Sequence, residues 1–78
     1  MSQPAADAAA PQITVLLNGA TVEVPDAISV AELLVLRGVT TAMVAVEHNG
    51  AIVRRAQHGE VRLAAGDRIE IVGFVGGG

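Results

Sequence analysis

Gly66-Asp67-Arg68-Ile69-Glu70-Ile71-Val72-Gly73-Phe74-Val75-Gly76-Gly77-Gly78 is the stretch on which the reading of this chain turns. It begins as a strand. Ile69 and Ile71 alternate with Arg68, Glu70 and Val72, the period-two pattern of a strand with one buried face. Then the side chains stop. Gly76, Gly77 and Gly78 offer no packing surface and impose no backbone conformation. Two readings stay open on these residues alone. One is a frayed end, as at many termini. The other is a thread without Cβ atoms, suited to an enzyme that must reach a main-chain carboxylate through a narrow channel.

Ala65-Gly66-Asp67 turns the chain into that strand, and Val61 and Leu63 before it are core residues. Arg54 to Glu60 is polar and reads as irregular. Asn49-Gly50 joins two strand-like runs, Ala42 to His48 (Val44 and Val46 inward) and Ala51 to Val53. Asn18-Gly19 likewise joins Gln12 to Leu17 and Ala20 to Val24. The dipeptide predicts a hairpin because both central residues of a type I′ turn need positive φ. In the first strand Ile13, Val15 and Leu17 share a face, and Pro25 stops the second by removing a ladder donor.

Between the hairpins, Ser29-Val30-Ala31-Glu32 has the spacing of a capping box, in which each residue's side chain accepts the other's backbone N–H. It predicts a helix from Val30 to about Arg37, closed by Gly38 in a left-handed cap. Val30, Leu33, Leu34 and Arg37 share one face, whose apolar part packs inward. The order hairpin, helix, hairpin, final strand predicts an α+β fold, the ubiquitin-like β-grasp: a mixed sheet of four to five strands packed on one helix. The last strand is the parallel neighbour of the first. The domain is expected over residues 12–75, preceded by a flexible alanine-rich leader over 1–11 and followed by a flexible tail over 76–78.

Composition narrows the function. Seventy-eight residues make one small domain with a limited core. A formal charge of −3, scattered arginines and no tyrosine or tryptophan argue against nucleic acid. No run is long enough to span a membrane and no secretory signal is visible, so a cytoplasmic location is expected. Cysteine is absent, which excludes disulfides, thiolate nucleophiles and cysteine metal sites. Lysine is absent too, and the basic residues are Arg37, Arg54, Arg55, Arg62 and Arg68. Two explanations stay open: a GC-rich genome gives that bias, and a chain without lysine offers no amine of its own to an activated acyl group at its terminus. His48 and His58 lie ten apart with no further ligands near, too few for a metal site. Glu32 reads as a cap, Glu47 and Glu60 lack a pocket for acid–base work, and Arg54-Arg55 reads as a solvated pair. Val72 and Phe74 are placed on the outward side of the last strand.

Asn18-Gly19, Ser29-Val30-Ala31-Glu32-Leu33-Leu34, Val44-Ala45-Val46-Glu47 with Asn49-Gly50-Ala51-Ile52-Val53, and Gly66-Asp67-Arg68-Ile69-Glu70-Ile71-Val72 ahead of Gly76-Gly77-Gly78 together resemble the ThiS family, the sulfur carriers of thiamine biosynthesis. The resemblance covers about residues 12 to 78. Two departures fall in the irregular segment: Arg54-Arg55 stands where the family usually has a proline before the arginine, and Gln57-His58 where an aromatic often follows.

The resemblance implies a substrate protein rather than an enzyme. Its reactive group is the Gly78 carboxylate, which a ThiF-like, E1-like enzyme adenylates with ATP-Mg; no cofactor is held stably by the carrier and no metal is bound. A persulfide donor enzyme supplies the sulfur that replaces AMP, and a ThiG-like thiazole synthase accepts it from the thiocarboxylate. Val72, Phe74, Val75, Gly76 and Gly77 are the expected partner contacts. A carrier of another pathway, like the small subunit of molybdopterin synthase, stays open, although its usual proline-containing run before Gly-Gly is missing. A β-grasp binding module with an inert tail also stays open.

Overall fold

In the computed structural model of the chain, which describes residues 11–73, both Asn-Gly dipeptides close hairpins. Asn18 and Gly19 have φ of 50° and 85°, and Asn49 and Gly50 have 51° and 89°. These are the consecutive left-handed residues that a type I′ turn demands. The first turn joins β1 (Gln12–Leu17) to β2 (Ala20–Pro25), antiparallel from Leu17 opposite Ala20 to Gln12 opposite Pro25. The second joins β3 (Val44–His48) to β4 (Ala51–Val53). The last strand, β5 (Arg68–Gly73), inserts between the hairpins, parallel to β1 and antiparallel to β3. The sheet order is therefore β2-β1-β5-β3-β4, the β-grasp plan with five strands.

The helix α1 (Val30–Leu36) is seven residues long, too short to persist alone in water. Its ends are closed and its apolar face is buried. Glu32 N–H donates to Ser29 Oγ at 3.0 Å, and Ser29 N–H donates to Glu32 Oε1 at 2.9 Å. At the other end Gly38 N–H reaches Val35 O and Val39 N–H reaches Leu34 O, the paired bonds of a Schellman motif, with Gly38 at φ 71°. Arg37 is the C-cap and is exposed; it does not share the burial of Val30, Leu33 and Leu34, which pack with Val15, Val46, Leu63 and Ile69 in the core. Ser29→Ala should lower stability by about 1 kcal/mol through loss of the cap. A chemical-denaturation midpoint equal to wild type would contradict this.

Two segments differ from the sequence expectation. The third strand starts at Val44 rather than Ala42, because Thr41–Met43 forms a 3-10 turn in which Met43 N–H bonds Thr40 O. A donor used locally is not available to a ladder. The polar segment after β4 is also more ordered than its composition suggests. Arg55–Gln57 is a 3-10 turn, and the chain then runs back along the start of α1. Val30 N–H donates to Val61 O and Ala31 N–H to His58 O, while Leu63 N–H donates to Ile28 O. The first N–H groups of a helix have no partner within it, and here this segment satisfies two of them. Leu63 is buried and Val61 half-buried, as expected. Among the described residues no helix is long and apolar enough to cross a membrane.

Candidate functional site: the root of the tail

The site expected from the sequence lies at the far end of β5. Ile69 is fully buried and Ile71 half-buried against the core, while Val72 is 56% exposed on the opposite face. Register places Val72 beside Ala45 and Glu70 directly opposite Glu47 on that outer face. Ile52, opposite Glu47 and 72% exposed, extends the apolar part of the same face. Exposed branched side chains around a like-charged pair do little for the fold, since adjacent like charges repel. They suit a surface that a partner covers. Val72 thus lies on the outward side of the last strand, where its alternation with Ile71 places it. Phe74, Val75, Gly76, Gly77 and Gly78 lie outside the described residues.

The hold on β5 comes from the two hairpin asparagines. Asn18 Oδ1 accepts the Ile71 N–H at 2.7 Å, Asn18 Nδ2 donates to Ile71 O at 3.1 Å, and Asn18 N–H donates to Ile69 O at 2.9 Å. The β1–β5 ladder pairs only Leu16 with Arg68 and Leu17 with Ile69; the Asn18 carboxamide then acts as one more peptide group in it. Asn49 repeats the device at the start of the strand, accepting the Arg68 N–H at 2.8 Å through Oδ1 and donating its own N–H to Arg68 O at 2.8 Å. On the other side β3 follows β5 as far as Gly73, opposite Val44. The strand leading to the tail is therefore fixed at both ends. Sequence reading assigned both asparagines to turns alone. The available signal was the choice of Asn twice, where Asp or Gly would also have made the turn.

Asp67 completes the anchor. Its carboxylate meets His48 Nε2 at 2.7 Å and accepts the Ala64 N–H at 2.9 Å and Asn49 Nδ2 at 3.2 Å. Burial opposes its ionisation, but the hydrogen bonds from His48, Ala64 and Asn49 outweigh burial and hold the carboxyl below its ordinary value. Glu32 is also lowered, chiefly by the Ser29 backbone N–H and then by the Ser29 side chain. A depressed carboxyl contributes stability that is complete above its unfolded pKa and lost as pH falls through its folded pKa. Wild type should therefore lose stability below about pH 4, and the gap in melting temperature between wild type and Asp67→Asn should narrow over the same range. A gap that stayed constant from pH 7 to pH 2 would contradict the anchor.

Of the other residues weighed for chemistry, His58 is buried at 5% exposure, with its Nε2 3.2 Å from Val53 O. It lies in a turn, as expected from the sequence, yet it is buried and its carbonyl accepts the Ala31 N–H at the start of α1. Arg54 and Arg55 are exposed. Glu60 lies in a turn, and Glu47 in the sheet.

A groove of about 410 Å³ opens beside the root of the tail. It lies between the β1–β2 turn (Leu17, Ala20, Val22), the exit of α1 (Arg37, Val39) and the end of β5 (Ile71, Gly73). A larger hollow of about 650 Å³ lies against Val35 and Leu36 of α1 and includes no residue of β5.

The ThiS family model matches residues 10–78, nearly the whole chain. The chain belongs to the ThiS family. The crystal structure of thiamine biosynthesis protein ThiS from Geobacter metallireducens is 30% identical and superposes with a TM-score of 0.73, covering 85% of this chain and 100% of that one. A thiazole synthase of Paramagnetospirillum magneticum is 38% identical over 63 residues, which cover 81% of this chain and 19% of that protein. This ThiS-family chain thus spans about a fifth of that relative's length.

Proposed function

We propose that this ThiS-family chain is the sulfur carrier of thiazole formation in thiamine biosynthesis, a protein substrate passed between enzymes. The observation that carries the reading is the family match, which runs through β5 to Gly78. The anchoring of β5 supports it, because a terminus to be threaded into an active site needs a fixed root.

An α-carboxyl has an ordinary pKa of about 3.5, so a terminal Gly78 is anionic at neutral pH and able to attack the α-phosphorus of ATP. Attack expels pyrophosphate and leaves an acyl adenylate, a far better acyl donor than the carboxylate. The terminal sulfur of a donor persulfide then displaces AMP to give an acyl disulfide, and a thiol of the donor machinery reduces that disulfide, releasing the thiocarboxylate and leaving a disulfide on the donor side. With no cysteine in the chain, no side-chain thiol competes for the activated acyl group. The adenylating enzyme is the ThiF-like partner and brings ATP-Mg; the ThiG-like thiazole synthase is the acceptor, and the name of the Paramagnetospirillum relative favours that partner. Glycines at 76, 77 and 78 let the thread enter a channel too narrow for a Cβ.

Intact-mass analysis of the protein isolated from its own host tests the proposal. The expected result is a fraction of molecules with one oxygen replaced by sulfur, mapped to the C-terminal peptide. Sulfur located elsewhere, or none under thiamine-limited growth, would overturn it.

A further inference from the structure

The end of β5 faces two different surfaces. Val72 turns to the outer sheet face, whereas Ile71 and Gly73 line the groove of about 410 Å³. Val22, Val39 and Val44 make the groove apolar, and Arg37 stands at its edge, exposed as the C-cap of α1. The ion pairs among the described residues are His48–Asp67 and Arg62–Glu32, so no described carboxylate neutralises Arg37. An apolar hollow with an unpaired guanidinium beside it is complementary to an apolar side chain next to a carboxylate. Gly73, the last described residue, lines the groove, so a protein that takes hold of the chain beyond Gly73 meets the groove at once.

A carrier must present one terminus to two enzymes in turn, and the outer face and the groove offer separate surfaces for them. We infer that the groove is the docking seat for the thiazole synthase, which fills it with an apolar side chain and pairs an adjacent Asp or Glu with Arg37. The inference rests on the carrier reading. Its assignment to the synthase, rather than to the adenylating enzyme, rests on the Paramagnetospirillum thiazole synthase, which holds a stretch like this chain within its own polypeptide.

The test is calorimetric binding of the full chain to the purified thiazole synthase at low and physiological salt. Arg37→Glu should weaken binding about tenfold or more and flatten or reverse its salt dependence, because repulsion replaces attraction at the pair. Arg37→Lys should fall between the two, since it keeps the charge but not the planar fork. Ala20→Trp, which fills the groove from its edge, should weaken binding by about tenfold with the salt dependence retained. Synthase binding within about twofold of wild type for both Arg37→Glu and Ala20→Trp would overturn the seat, as would a loss confined to the adenylating enzyme. Sulfur loading of wild type, read separately by mass, distinguishes the two failures. A chain that gains sulfur but binds the synthase independently of Arg37 loses only the seat. A chain that binds through Arg37 yet never gains sulfur keeps the seat and loses the carrier reading.

Discussion

Deleting Gly78 should all but abolish ATP–pyrophosphate exchange with the adenylating enzyme while leaving the melting temperature unchanged. The deletion moves the acyl carbon back by one residue, up to about 3.5 Å of extended chain. In-line attack on phosphorus tolerates much less, since a misplacement of about 1 Å already costs on the order of a hundredfold in rate. The root of the tail cannot shift to compensate, because β5 is held by β3 as far as Gly73 and by Asn18 at Ile71. Gly77→Val places a branched side chain where the thread must be thinnest and should give the same loss, as should one residue added after Gly78. Pyrophosphate exchange at the wild-type rate in the deletion variant would sink the carrier function.

The second large effect is expected at Asn18. Replacing it with Ala removes the carboxamide that bonds both the N–H and the carbonyl of Ile71. It also leaves an alanine at φ 50°, a left-handed position that asparagine tolerates through local side-chain hydrogen bonding and alanine does not, at a cost of up to about 1 kcal/mol. With about 0.5–1 kcal/mol for each exposed hydrogen bond, the total loss is about 2 kcal/mol. For a domain of this size that lowers the melting temperature by roughly 10 °C. Asn18→Asp keeps the acceptor for Ile71 N–H and tolerates the left-handed backbone, so it should lose about half as much. Amide exchange at Ile71 gives the local check: it should accelerate in Asn18→Ala more than exchange at Ile69, which the β1 ladder still covers. If the alanine variant melts with wild type, the carboxamide is not holding the strand. If it melts early but loads sulfur normally, the fixed root is not needed for function.

The features read correctly from the sequence are those whose cause is local. Asn18-Gly19 and Asn49-Gly50 turn because two consecutive residues must take positive φ. Ser29 and Glu32 cap α1 because they stand three apart, and the alternation about Ile69 and Ile71 names the inward face of β5. From these the β-grasp followed, since two hairpins, one helix and a final strand have few ways to bury their apolar faces together. Composition added what the chain lacks, cysteine above all. The tertiary structure decided what depends on distant partners. Asn18 reaches Ile71 across 53 positions and Asn49 reaches Arg68 across 19, so no window of local sequence contains either clamp. His58 is buried beside the start of α1, where its carbonyl accepts the Ala31 N–H, a donor that the helix itself leaves open and that lies far earlier in the chain. Met43 leaves β3 because its N–H is already bonded to Thr40 O. The groove beside Arg37 exists only where the helix exit, the first turn and β5 meet. Alternation and capping report which way a residue faces, but the group it finally touches is set by the packing of elements far apart in the chain.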